Sequence, residues 1–180
     1  MKGDARLASG SGATESGAGG GRRGVARSTA RLAAAQLLYQ VELSGEPARA
    51  ALDEFDRAGM AIEPGATLEA DREFVRRVVM GVAERRDELD GLIAAALAER
   101  LSLERLEILL RTVLRAGAFE LLACPDVPAR VVVAEHVAVA GAFYAGKETG
   151  LVNGVLDRLA RRLRPAEMET AGDAGPAAAG

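Results

Sequence analysis

Apolar residues recur at three- and four-residue steps along most of the chain, which is the spacing of one face of an α-helix. The longest uninterrupted stripe lies between residues 103 and 122, where Leu and Val positions dominate. We therefore predict that this helix lies at the centre of the fold. The predicted helices are 25–43, 47–58, 68–84, 87–99, 103–122, 131–140 and 151–163.

Turn-forming residues separate the predicted helices. Ser44-Gly45-Glu46-Pro47 ends the first helix, Pro64-Gly65 interrupts the chain before the third, and Pro125-Asp126-Val127-Pro128 forces a rigid turn. The Val-rich stretch 131–139 has the propensity of a strand, but its apolar positions continue at helical spacing and a lone strand would have no partner. The pattern therefore predicts an all-α fold, a single bundle of about seven helices.

The two ends of the chain lack this pattern. Residues 1–21 consist mainly of Gly, Ala and Ser with scattered polar groups, and residues 166–180 are similar. Segments of this composition cannot bury enough apolar surface to offset the loss of chain entropy. We predict that both are disordered tails and that one helical domain spans residues 22–165.

The composition supports a small helical protein of the cytoplasm. Hydrophobic residues make up 49% of the chain but aromatic residues only 3%, so the core is built from Leu, Val and Ala. The lone Cys124 cannot form an internal disulfide, which favours a reducing compartment. No apolar run approaches the roughly 20 residues of a membrane span. We expect a cytoplasmic protein without a membrane segment.

The residues that usually carry catalysis are scarce. One histidine and one cysteine cannot supply the roughly four Cys or His ligands of a structural zinc site. His136 is interpreted as a helix residue rather than a base, and carboxylate pairs such as Asp87 and Asp90 as a solvated helix face. The chain also lacks a phosphate-binding loop and a nucleophile turn. We expect no metal, no cofactor and no enzymatic activity.

The charge is distributed unevenly. The net charge is −3, yet residues 1–31 hold six basic and two acidic residues, a local charge of +4. Arg27 and Arg31, four residues apart, are predicted to lie together on the exposed first turns of the first helix. With Arg22 and Arg23 they form a basic start, and guanidinium groups bind phosphates and stack on bases. The pattern indicates local contact with RNA; the other interpretation is a solvated surface.

Short motifs across residues 22–163 resemble, in their order and spacing, those of the NusB family. No single motif is specific, but together they identify the resemblance. The matching segments are Arg22-Arg23-Gly24-Val25-Ala26-Arg27, Ala35-Gln36-Leu37-Leu38-Tyr39-Gln40, Leu89-Asp90-Gly91-Leu92-Ile93, Val113-Leu114-Arg115-Ala116, Phe119-Glu120-Leu121, Asp126-Val127-Pro128 and Leu151-Val152-Asn153-Gly154-Val155-Leu156-Asp157.

The resemblance implies an all-α fold of two packed helical subdomains. It also implies two partners: the ribosomal protein that doubles as NusE, and boxA RNA of rRNA leaders, within the complex that helps RNA polymerase resist termination. By this resemblance Arg22, Arg23 and Arg27 contact RNA, and Tyr39 and Arg111 lie toward the protein partner. Whether the free protein forms a homodimer stays open.

The chain also departs from the family pattern. Lys147 stands where relatives often have an acid, which is expected to extend the RNA-binding surface. Leu110, just before Arg111, replaces an acid that would pair with the protein partner. Two other functions remain open from the sequence: a protein-interaction bundle without RNA binding, and a NusB-like domain related to those of RNA cytosine methyltransferases.

Overall fold

The structure is a computed structural model that describes residues 16–58, 61–63, 66–67 and 70–169, and the side chains of residues 24–58 and 70–169. These residues form helices joined by short turns, with one small hairpin, so the all-α prediction is confirmed. The elements are α1 (Ser16–Ser44), α2 (Ala48–Ala58), β1 (Ala61–Glu63), β2 (Ala66–Thr67), α3 (Arg72–Glu84), α4 (Arg86–Ala96), a 3-10 turn (Leu103–Arg105), α5 (Ile108–Ala123), α6 (Ala129–Gly141), α7 (Lys147–Leu163) and α8 (Pro165–Glu169).

Helix α5 is the centre of the bundle, as its apolar stripe predicts. It packs against α1, α3, α4, α6 and α7, and the side chains from Thr112 to Leu121 are buried on all sides of the helix. Leu110 is also buried, so it belongs to the core and not to a partner-facing surface. The predicted start is too early, because Leu106 and Glu107 adopt extended backbone angles between the 3-10 turn and α5.

The other helices form two groups that share α5. Helices α1, α2 and α3 pack against one another on one side, whereas α6, α7 and α8 pack together on the other. Helix α4 bridges α5 and α7. Because α5 contacts both groups, one continuous hydrophobic core runs through the described part of the chain.

Two glycines allow helices to approach α5 closely. A Cβ atom at Gly81 of α3 would overlap the ring of Phe119. At Gly117 of α5, a Cβ atom would lie 2.7 Å from Cδ1 of Leu156 and 3.2 Å from Cγ of His136. Both glycines therefore act through the absence of a side chain, not through unusual backbone angles.

Helix α1 begins nine residues before the predicted start at Val25, at Ser16. Extending an anchored helix is easier than starting a new one, since each added residue gains a hydrogen bond without a new nucleation step. The backbone of residues 16–21 thus belongs to a helix, although this segment was expected to be disordered. Residues 1–15 and 170–180, which complete the two predicted tails, lie outside the described residues.

The C-terminal boundary also lies further along the chain than expected. Pro165 ends α7 but begins the short helix α8, whose Met168 is buried. Glu167 accepts a 2.8 Å hydrogen bond from the backbone N–H of Ala129, the first residue of α6. Arg130 donates to the carbonyl of Met168 at 2.7 Å. A polar segment without apolar period is thus held by one buried Met and by hydrogen bonds to α6.

The tight contact at Gly81 leads to a paired prediction on stability. Gly81→Ala should lower the free energy of unfolding by about 1–3 kcal/mol, because the methyl group cannot fit beside the ring of Phe119. Gly91→Ala on α4 is the matched control, since no atom lies within 4 Å of a Cβ there. It should raise stability by up to about 1 kcal/mol through helix propensity. Urea unfolding of both variants measures this, and equal effects would refute the close-packing argument.

Candidate nucleic-acid interface

The basic start of α1 contains three arginines that the sequence assigns to RNA. Arg22 and Arg23 lie in α1, and their side chains are outside the described set. The side chain of Arg27 is 36% exposed. Its Nη1 donates to Oδ2 of Asp126 at 3.1 Å, and its guanidinium lies 5.1 Å from the centre of the Phe74 ring. We call this region, residues 22–27 of α1, the basic end.

A second arginine, which the sequence analysis did not select, meets Arg27 at Asp126. Nη2 of Arg77 on α3 donates to the carbonyl oxygen of Ala123 at 2.8 Å and lies 3.4 Å from Oδ1 of Asp126. Partial desolvation raises the pKa of Asp126, but the Arg27 hydrogen bond and the charges of both arginines outweigh it, so the pKa is lowered overall. Asp126 is therefore ionised at neutral pH.

Arg31 is buried, in contrast to the expected exposed position. Only 3% of its side chain is exposed, and it donates through Nε and Nη2 to both carboxylate oxygens of Glu120, which is fully buried in α5. Its Nη1 donates to Glu135 of α6 at 3.1 Å. The pattern predicted an exposed pair because it gave Arg27 and Arg31 one helix face, but α6 covers only the second of them. Arg31 is thus a structural residue and is not free to contact RNA.

The charges around Arg31 explain how it can be buried. Desolvation lowers the pKa of Arg31, but hydrogen bonds and charge from Glu120 and Glu135 raise it by more, so the guanidinium stays protonated. Buried ions in proteins require this kind of direct pairing, because an unpaired charge in the interior is very unfavourable. Glu120, the acid that makes burial of Arg31 possible, lies in the otherwise apolar stripe of α5. An acid at such a position was the one sequence feature that could have indicated a buried basic partner.

His136 lies against the same cluster. It is fully buried in α6; an Nδ1–H donates to the carbonyl oxygen of Val132 at 3.0 Å, and Nδ1 is 3.8 Å from Oε2 of Glu120. Burial lowers the pKa of His136 more than the charge of Glu120 raises it. The ring is therefore neutral at pH 7. Its placement inside the bundle agrees with its interpretation as a helix residue.

Lys147 lies far from the basic end. It begins α7, whose other end approaches the turn after α5, since Arg164 donates to the Pro125 carbonyl at 3.1 Å. The 17 residues of α7 correspond to roughly 25 Å at ~1.5 Å per residue. Arg27 contacts Asp126 in the same turn as Pro125. Lys147 and Arg27 therefore mark opposite ends of the bundle and do not form one compact patch.

The two residues assigned to the protein partner lie toward the C-terminal end of α1. Tyr39 is 37% exposed on α1, and one turn further Glu42 accepts a 3.3 Å hydrogen bond from Nη2 of Arg111. Arg111 is half-buried and also donates to the Glu104 carbonyl at 3.4 Å. Tyr39 is about 18 Å from Arg27 along α1 at ~1.5 Å per residue. The structure thus brings Tyr39 and Arg111 together and separates both from the basic end.

A groove lies beside the basic end, between residues 24–31 of α1 and the start of α6. Its volume is about 500 Å³. The walls combine exposed apolar groups of Val25, Pro128 and Val131 with the polar groups of Arg27 and Ser28. The hydroxyl of Ser28 donates to Glu135 at its floor. A groove with apolar walls and a cation at its edge can hold a flat ring beside a phosphate.

A family model described as the NusB family matches residues 28–161. The chain belongs to the NusB family. The matched residues begin just after Arg27, so the family model covers the helical bundle but not the basic end itself.

Relatives of known name cover nearly the same part of the chain. A protein from Maricaulis maris (strain MCS10), named transcription antitermination protein NusB, is 45% identical over 144 residues, which are 79% of this chain and 90% of the relative. The protein of the same name from Nitrobacter hamburgensis is 47% identical over 144 residues, again 79% of this chain and 90% of the relative. At this identity the NusB-family core is shared along its length.

Solved structures agree with the family. T. maritima NusB has a TM-score of 0.66 and 31% identity, and the match covers 79% of this chain and 96% of that one. A chain from a structure of antitermination factors NusB and NusE in complex with dsRNA has a TM-score of 0.62 at 24% identity, covering 75% and 96%. This second likeness supports the fold alone.

Two further observations concern the described residues. None of their helices is long and apolar enough to cross a membrane. Among the same residues, no group of three or more His, Cys, Asp or Glu side chains is arranged to hold a metal ion.

The neutral buried histidine predicts a pH dependence of stability. In the unfolded chain His136 takes up a proton near its ordinary pKa of 6.5, but in the folded protein its pKa is lowered, so the unfolded state binds more protons below that pH. Stability should therefore fall as the pH drops below 6.5, by up to about 1.4 kcal/mol per pH unit from this residue.

The variant His136→Asn isolates that contribution, because its amide can donate to the Val132 carbonyl but does not titrate. Between about pH 7.5 and about pH 5, the free energy of unfolding should fall by up to roughly 2 kcal/mol less in the variant than in the unmodified chain. Urea unfolding at the two pH values provides the comparison. Equal losses in both proteins would show that His136 is protonated in the folded state.

Proposed function

We propose that this chain is a transcription antitermination factor that binds boxA-type RNA together with a NusE ribosomal protein. The observation that carries this proposal is family membership, with relatives at 45% and 47% identity that are named transcription antitermination protein NusB. The role fits a cytoplasmic protein that joins an RNA polymerase complex and performs no catalysis.

The basic end is the RNA-binding part of the proposal. Residues 1–31, which include the basic end, carry a charge of +4, in contrast to a net charge of −8 over residues 32–157, so attraction of RNA is local to one end of α1. Arg27 is exposed there, beside a groove with apolar walls. Arg22 and Arg23 precede it on the same helix. Arginine suits this role because its planar group pairs with phosphate and stacks on bases.

The opposite end of α1 is the proposed site for the NusE partner. Tyr39 and Leu43 are exposed on the last turns of α1, and Phe143 is exposed on the α6–α7 loop, where Tyr144 donates to Glu107 at the start of α5. Aromatic residues such as Tyr and Phe are enriched at protein interfaces, and Tyr is among the residues that contribute most to binding. Arg111 supplies a nearby cation, although Glu42 already holds one of its nitrogens.

A protein-interaction bundle without RNA binding is the second candidate. The observation that favours it is that Arg27 already pairs with Asp126 and that Arg31 is buried, so two of the four arginines in residues 22–31 have partners inside the chain. RNA titration of the basic-end variants below separates the two functions.

RNA binding can be tested by removing the arginines of the basic end. Changing Arg22, Arg23 and Arg27 together to Ala should weaken binding of boxA-type RNA and flatten its salt dependence. Each lost phosphate contact should lower the slope of log K against log salt by roughly 0.7 on single-stranded RNA, hence by about 2 for three contacts. Fluorescence anisotropy over a series of salt concentrations measures both quantities.

The control for this experiment removes charge elsewhere. Arg100 and Arg105 are exposed before the start of α5, at the end of that helix opposite the Ala123 carbonyl that binds Arg77, and changing both to Glu alters the net charge by more than the triple variant does. This control should bind RNA within about twofold of the unmodified chain if contact is local. If the control loses binding and the triple variant keeps it, RNA binds away from the basic end and the proposed RNA site is wrong.

Binding of the protein partner can be tested at Tyr39. Tyr39→Ala should weaken binding of NusE at least tenfold, about 1.4 kcal/mol, because truncating an interface Tyr commonly has this effect. Val131→Ala, an exposed apolar residue at the basic end, is the control and should bind NusE normally. Isothermal titration calorimetry gives both affinities. A Tyr39 variant with unchanged affinity would place the partner on another surface.

A further inference from the structure

One exposed carboxylate lies between two exposed guanidinium groups beside the basic end. Asp126 accepts from Arg27 at 3.1 Å through Oδ2 and is 3.4 Å from Arg77 through Oδ1. The exposed fractions of these side chains are 47% for Asp126, 36% for Arg27 and 41% for Arg77. All three side chains are thus accessible to a ligand from solution.

The two arginines are held in place by contacts other than Asp126. Arg77 donates to the backbone carbonyl of Ala123 at 2.8 Å. Arg27 has its Nε 3.7 Å from Asp71 and its guanidinium over the ring of Phe74. If the carboxylate of Asp126 moved away, both guanidinium groups would keep a partner that maintains their position. The site is therefore preorganised for an anion.

The backbone of the turn allows Asp126 to leave by side-chain rotation alone. The neighbouring Val127 is buried, and its N–H donates to the carbonyl of Cys124 at 3.1 Å. The prolines Pro125 and Pro128 restrict the chain on both sides. Only the exposed carboxylate needs to turn outward, and exposed ion pairs of this kind are weak enough for a better ligand to displace.

We propose that Arg27 and Arg77 form a binding site for one backbone phosphate of RNA, and that Asp126 occupies this site as an internal competitor in the free protein. The proposal rests on RNA binding at the basic end, as stated under the proposed function, and adds Arg77 and Asp126 to it. A carboxylate and a phosphodiester each present two oxygens to arginine in a similar geometry.

The surroundings favour a phosphate of RNA over an acidic peptide. The site adjoins Arg22 and Arg23 along α1, which continue the positive charge toward the start of the chain. The neighbouring groove of about 500 Å³ has apolar walls at Val25 and Val131 that suit a nucleobase. A strand with its phosphate between the two arginines would thus have both charge and stacking surface within reach.

The test uses the full chain and a short single-stranded boxA-type RNA with a fluorescent label. Asp126→Asn removes the competing charge and keeps the shape of the side chain. An exposed ion pair changes an equilibrium constant by at most about fivefold. Loss of the two pairs that Asp126 makes with Arg27 and Arg77 should therefore tighten RNA binding by roughly threefold to tenfold. Arg77→Gln, which keeps a donor for the Ala123 carbonyl, should weaken binding and lower the salt slope by about 0.7.

The combination of the two changes distinguishes a local site from a general charge effect. In the Arg77→Gln background, Asp126→Asn should gain less than half of its effect on log K, because the two residues act on one phosphate. Glu88→Gln is the matched control. It frees Arg85 from a similar exposed pair on α4 with the same change of charge, and RNA affinity should stay within about 1.5-fold of the unmodified chain.

The outcomes separate this inference from the proposed function. If the unmodified chain binds the RNA neither alone nor with NusE present, both fail. If it binds, and the triple arginine variant weakens binding, but Asp126→Asn leaves affinity unchanged or the double variant shows additive effects, only the competitor site is overturned. Circular dichroism melting of each variant confirms that the fold is retained. If Arg77→Gln unfolds, Arg77→Met replaces it, because it also removes the charge and keeps an unbranched side chain, and the same loss of coupling to Asp126 is expected.

Discussion

The buried ion pair between Arg31 and Glu120 sets the position of α1 relative to α5 and α6. A charged pair of this kind does not necessarily add net stability over an apolar pair, but removal of either partner leaves an isolated charge in the core. Only one alignment of α1 brings Arg31 to Glu120, so neighbouring alignments are excluded by a large energetic penalty. The pair therefore determines how the helices are aligned more than it adds to the stability of the fold.

The placement of both candidate binding regions follows from this alignment. With Arg31 fixed, Arg27 one turn earlier reaches Asp126, and Glu42 three turns later reaches Arg111 and Arg115. The last of these, Arg115, also pairs with Asp90 of α4 through two hydrogen bonds, of 2.6 and 2.8 Å. Two clusters of arginine and carboxylate side chains, one around Arg31 and one around Glu42, thus fix α1 against α5 at two positions along its length. A partner bound at one end of α1 leaves the other end accessible.

Most of the fold could be predicted from the sequence, because helical periodicity is strong in α5 and turn residues mark the boundaries. The site could be predicted only in part. Arg27 and Tyr39 were selected from the basic start and the family motif, and both are exposed. Arg31 was misplaced because periodicity does not reveal which neighbour covers a helix face. Arg77 was missed because its contact with Asp126 joins residues 49 positions apart, and no local pattern records such a contact.

The same ion pair has a consequence for the order of events during synthesis. Arg31 and Glu120 are 89 residues apart, and Glu135 follows later still. Helix α1 is therefore translated long before the acids that neutralise its buried arginine emerge from the ribosome. Contacts between residues distant in the chain form slowly and only after a large loop closes. Helices α2 and α3 can cover part of α1 early, but the face of α1 that packs on α5 and α6 stays uncovered until those helices are made. During that interval the guanidinium of Arg31 stays in water, and α1 reaches its final position only when Glu120 and Glu135 can pair with it.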